Sequence, residues 1–77
     1  MTTRCKFVCN EVRKRQSGVP EFPFVFDVSF SPVTDGSDEN KEFFAWTPCG
    51  ALTLTIKRDI FVPGREYYLN ISEMEAG

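Results

Sequence analysis

The 77-residue chain carries nine Lys and Arg against eleven Asp and Glu, a formal net charge of −2, with 42% hydrophobic and 14% aromatic residues. That is enough for one domain, able to bury about 60–65% of the surface its unfolded form exposes, and the composition excludes the disordered and low-complexity classes. Histidine is absent, which removes the usual general base, the commonest metal ligand and every triad that relays a proton through imidazole.

From Arg4 to Arg15, Cys5, Phe7 and Cys9 alternate with Arg4, Lys6 and Val8. This period of two predicts a strand with one buried face. Val12 breaks the odd-numbered pattern, so a bulge or bend is expected near Asn10. Gln16-Ser17-Gly18-Val19-Pro20 supplies the turn chemistry of a hairpin to the next strand. There Phe22, Phe24, Phe26, Val28 and Phe30 occupy every second position, which puts four rings on one face. Pro23 lacks a ladder N–H and places the start of this strand at a sheet edge. A row of exposed rings is also how some modules stack single-stranded bases. A chain this small needs the row as its core, and the core reading is preferred.

Val33 to Asn40 reads as a polar loop, with Ser37 before Asp38 and Glu39 as an N-cap followed by first-turn acids. A short helix is expected from Asp38 to Ala45, anchored by Phe43, Phe44 and Trp46. Pro48 and Gly50 end it. Ala51 to Lys57 alternates Leu52, Leu54 and Ile56 with Thr53 and Thr55, the pattern of a half-buried strand. Pro63-Gly64 fits the centre of a type II turn. A last strand follows over Glu66 to Ser72, with Tyr67, Leu69 and Ile71 on one face and Tyr68 on the other. The tail from Glu73 to Gly77 is expected to fray. The fold class is β-rich with a minor α+β character: a small barrel or curved antiparallel sheet of about four strands, with one short helix between the second and third.

Cys5 and Cys9 sit four apart in a strand, which separates their Cα atoms by roughly 13 Å, while a disulfide needs less than about 7 Å. Reduced core thiols are expected. A zinc site from Cys5, Cys9 and Cys49 lacks both CxxC spacing and any His. There is no Gly-rich phosphate loop and no GxSxG elbow. Catalysis, a metal and a cofactor are all disfavoured.

Charge is uneven. Arg4, Lys6, Arg13, Lys14 and Arg15 against Glu11 give the first twenty residues a net charge of +4, leaving −6 for the remainder. Arg13, Lys14 and Arg15 are candidates to meet phosphate. A pI near 5.0 opposes the broad positive field of nonspecific nucleic-acid binders and makes nucleic acid the weaker partner. Asp35, Asp38 and Glu39 form an acidic loop that, beside the exposed aromatics Trp46 and Tyr68, suits a basic surface on another protein.

Val33-Thr34-Asp35-Gly36-Ser37, Glu39-Asn40-Lys41, Phe43-Phe44, Thr47-Pro48, Gly50, Phe61, Pro63-Gly64 and Glu66-Tyr67-Tyr68, with Lys6-Phe7, Cys9 and Val12, run through most of the chain. Together they resemble a group of small accessory proteins encoded by tailed bacteriophages. These are turn and core residues, so the resemblance carries no functional residue across. It implies a phage protein in the cytoplasm of a host bacterium. No apolar run reaches the roughly 18–20 residues of a membrane span and the first residues lead into no secretory segment, in keeping with that location. The expected function is non-enzymatic: inhibition of a host defence component by protein contact, or sequestration of a small nucleotide-like signalling ligand. A single-stranded nucleic-acid-binding module and a small, homo-oligomeric virion component are the alternatives.

Overall fold

The first strand runs on past the glycine expected to end it. The computed structural model describes residues 2–75, with Met1, Ala76 and Gly77 of the tail outside that range. In it β1 spans Thr2–Val19 and β2 spans Phe22–Pro32. Only Pro20 and Glu21 are left for the reversal. Ser17 makes the extension possible: its Oγ accepts the Val19 N–H at 2.9 Å and donates to the Phe22 carbonyl. Gly18 takes a φ of 80° inside the register irregularity between Gln16 and Val19.

Helix α1 (Asp38–Phe43) separates β2 from β3 (Leu52–Ile56), and β4 (Glu66–Ser72) completes the sheet. All pairings are antiparallel and the order is β3-β2-β1-β4, which is Greek-key order. β3 and β4 lie at opposite edges, so the sheet is open and curved and no barrel closes. The long β1 holds it together. Its first half pairs with β4, from Thr2↔Ser72 to Val8↔Glu66, and its second half with β2, down to Val19↔Phe22. The expected bulge falls between Cys9 and Glu11.

β2 ends at Pro32 opposite Phe7, and beyond it the Val33 N–H still donates to the Lys6 carbonyl at 3.0 Å, which leaves the Lys6 N–H in need of a partner. Asn40 of α1 supplies it. Its Oδ1 accepts the Lys6 N–H at 2.6 Å, and its Nδ2 donates to the carbonyls of Lys6 and Val33 at 2.7 and 2.8 Å. The side chain stands in for the peptide group of a missing strand and is only 1% exposed. Ser37 caps the helix as expected, its Oγ accepting the Asn40 N–H. The helix is shorter than expected because Phe44 turns to extended backbone (φ −92°, ψ 143°). That conformation drives Phe44 onto the core, while Phe43 remains half-exposed and Trp46, 91% exposed, anchors nothing.

One face of the sheet carries the core of Cys5, Phe7, Cys9, Val28 and Phe30, flanked by Val12, Phe26, Leu52, Ile56, Tyr67 and Leu69. The β3–β4 connection must cross from one edge to the other, and it brings Phe61 over this face. Its ring meets Phe30 at 5.0 Å and Tyr67 at 4.9 Å, edge to face. The connection is closed by the expected type II turn: the Arg65 N–H donates to the Val62 carbonyl and Gly64 has a φ of 90°. The turn docks on β1 through Gly64 N–H to Cys9 O at 2.8 Å.

The phenylalanine row is core at one end only. Val28 and Phe30 are 2% and 4% exposed, Phe26 is half-buried, and Phe24 is 41% exposed. Phe44 and Phe61 cover the proximal half of β2, and among the described residues no third strand pairs with it beyond Phe26. The distal part of β1 and β2 is therefore a two-stranded ribbon. Its consequence is a flat molecule of 43 × 38 × 16 Å with a radius of gyration of 14.9 Å, against about 11.5 Å for a compact chain of this length.

Candidate functional site

Strand geometry disperses the basic triplet. Successive side chains point to opposite faces, so Arg13 and Arg15 share the polar face and Lys14 projects from the other. The Arg13 Nη2 lies 3.5 Å from Glu11 Oε1. Arg15 grips Asp27 through Nε at 2.6 Å and Nη2 at 3.4 Å, and Thr55 Oγ1 donates to the same carboxylate at 2.7 Å. The Arg15 hydrogen bond, followed by that of Thr55, holds the Asp27 carboxyl below its ordinary range, and Asp27 in turn raises Arg15. Lys14 Nζ stands 4.3 Å from the Phe24 ring centroid, and Lys57 Nζ stands 4.5 Å from that of Phe22. The ribbon thus carries cation–aromatic pairs on its apolar residues, and two of the three expected phosphate contacts already hold acids.

Glu39 and Tyr68 are brought together. The Tyr68 hydroxyl donates to Glu39 Oε1 at 3.2 Å, and Ser37 Oγ donates to Oε2 at 3.0 Å. Glu39's own backbone N–H and then Ser37 keep its carboxyl below the ordinary range. The Tyr68 ring has Arg4 Cζ at 4.9 Å and Lys6 Nζ at 5.5 Å. Arg4 also donates to Asn70 Oδ1 at 3.0 Å, and Lys6 lies 4.0 Å from Glu66. This cluster is saturated, and its groups fasten α1 and β4 to β1. Asp35, Asp38 and Trp46 remain exposed and apart from it.

The thiols have separate surroundings. Cys5 and Cys9 are buried, with desolvation raising Cys5, while Cys49 is exposed in the loop before β3. Among the described residues no group of three or more Cys, Asp or Glu is placed to hold a metal ion. No helix among them is long and apolar enough to cross a membrane.

A surface not expected from the sequence lies on the apolar face beside the core. Val12, Lys14, Phe26 and the connection from Asp59 to Pro63 line an open groove of about 490 Å³. Ile60 is 60% exposed, Val62 is exposed, and Phe24 continues the row beyond Phe26. The sequence did hold a signal: if Phe61 turns in, its neighbours Ile60 and Val62 turn out. No family model, curated protein or solved structure matches this chain.

Proposed function

We propose that this chain is a non-enzymatic binding protein that acts by contact with another protein, through the apolar face around Phe24, Leu54, Ile60 and Val62. The observation that carries the reading is surface area. The chain exposes 6040 Å², whereas a folded monomer of 8.8 kDa exposes about 4,800 Å². The excess is partly apolar and contiguous with the core, the combination that marks a contact surface. The resemblance to small phage proteins supports placing that contact in an infected bacterium, with a host defence component as the target. Protein contact is favoured over ligand sequestration because the grooves are open, and over strand binding because Arg13 and Arg15 are already paired.

The test is cross-linking with mass spectrometry, on the purified chain and in bacterial lysate, comparing wild type with a Phe24→Asp, Ile60→Asp double variant. The wild type should cross-link to a protein through this face, and the variant, folded by circular dichroism, should lose the product. A wild type that cross-links to no protein, or a variant that keeps every product, overturns the reading.

A further inference from the structure

The two faces of the ribbon treat their cations differently. On the polar face Arg13 meets Glu11 and Arg15 meets Asp27, so each guanidinium is neutralised within the chain. On the apolar face Lys14 and Lys57 have no carboxylate partner among the described residues. They lie instead over the rings of Phe24 and Phe22, at 4.3 and 4.5 Å from the centroids. No residue in the core or packed against it is an acid, and the one acid lining the groove beside Lys14 is Asp59. Among the charged residues of the ribbon and the β3–β4 connection without an oppositely charged partner, the cations Lys14, Lys57, Arg58 and Arg65 stand against Glu21 and Asp59. This end is positive in a chain whose net charge is −2. A lysine resting on a ring is also fixed before any partner arrives, while its ammonium donors stay available to one.

We propose that the apolar face takes an acidic segment of its partner protein, with a large apolar side chain seated in the groove between Phe26 and Ile60 and carboxylates on Lys14 and Lys57. This names the chemistry of the partner and rests on the reading of that face as a protein contact. The groove is open and holds about 490 Å³. Val12, Phe26, Ile60 and Val62 supply apolar contact there, and the two lysines supply the charge that steers the encounter and selects the partner. A basic segment would set its own cations against Lys14 and Lys57, a repulsion that excludes it. An oligonucleotide also offers anions, but bases hold to such proteins by stacking on open rings. On Phe22 and Phe24 a lysine already lies over the ring, which favours a carboxylate and an aliphatic or aromatic side chain over a base.

The test selects peptides from a random library on the immobilised full-length chain and measures the enriched ones by fluorescence anisotropy. Wild type should enrich peptides in which acids flank a large apolar residue. Lys14→Glu with Lys57→Glu, both at exposed positions, should weaken those peptides at least about tenfold. The same variant should itself enrich basic peptides, which a misfolded chain does not do. Lys14→Arg with Lys57→Arg should keep the acidic ones. Enrichment without an acidic bias, or no enrichment, overturns the proposal, as does a charge-reversed chain that holds the acidic peptides as tightly as wild type. So do tighter binding of a labelled single-stranded oligonucleotide than of any peptide, and self-association of wild type that the charge reversal abolishes, since each puts a different occupant on the face. The contact itself fails separately. Cross-links lost with Phe24→Asp and Ile60→Asp but kept with both lysines reversed would leave the contact in place and remove its acidic partner.

Discussion

The two ends of β2 share one repeating pattern and have different fates. At the proximal end Phe30 and Val28 lie under Phe44 and Phe61, with a strand on either side. At the distal end Phe22 and Phe24 keep the same alternation, yet Phe22 is only partly buried and Phe24 is exposed, each with a lysine over its ring. Periodicity chooses the face a residue occupies, while burial depends on how far the second layer reaches. Here that layer consists of two short crossings, so it spans only part of the sheet.

The contrast can be broken most directly at Phe30. Phe30→Ala should cost about 3–5 kcal/mol in urea unfolding, the range for deleting a fully packed ring, and so take up most of a small domain's stability. A cost below 1 kcal/mol would place the core elsewhere. Asn40 is next. Asn40→Ala leaves the Lys6 N–H buried without its partner and should cost about 2–3 kcal/mol. Asn40→Asp tests the geometry more finely: at neutral pH the introduced carboxylate faces the carbonyls of Lys6 and Val33. It should be at least as damaging as alanine there and recover on acidification, when the acid regains a donor. An Asp variant no worse than alanine at any pH, and no better in acid, would show that Nδ2 contributes nothing.

A smaller effect is expected on the polar face. Asp27 has a lowered pKa in the folded chain, so the unfolded chain binds that proton more readily. The stability it contributes is full above the ordinary carboxylate range and is lost as pH falls below about 4. Asp27→Asn should flatten the dependence of stability on pH in that acid window, as read by urea unfolding at several pH values, and an unchanged slope would exclude the Arg15–Asp27–Thr55 link. The smallest effect should come from Phe24→Ala, within about 1 kcal/mol, because an exposed ring loses little more than its lysine contact. A cost near that of Phe30→Ala would erase the distinction between the two ends.

Much of the fold was legible where local chemistry decides it. Ser37 ahead of two acids marked the helix start, Pro63-Gly64 the turn, Val12 out of phase the bulge, and Glu66 to Ser72 the last strand. The hairpin was misplaced because Ser17 bonds across the Gly18 irregularity, a side-chain contact that no dipeptide signal encodes. Asn40 left no trace, since an asparagine in a short helix is unremarkable until a strand end needs a peptide mimic. The candidate site was the least legible part. Three consecutive cations read as one patch in a line of text, but a strand divides them between faces and sets two of them against acids. Trp46 appeared as a helix anchor because the stop at Phe44 depends on where the core lies.

Native-state hydrogen exchange along β1 and β2 tests the central contrast most directly. Amides of the Val8–Ser31 ladder should exchange only through global unfolding, and those of the Arg15–Val25 ladder through local opening at a clearly lower free energy. Equal protection along the whole hairpin would contradict the account, because it would mean that the ribbon is as much a part of the core as Phe30.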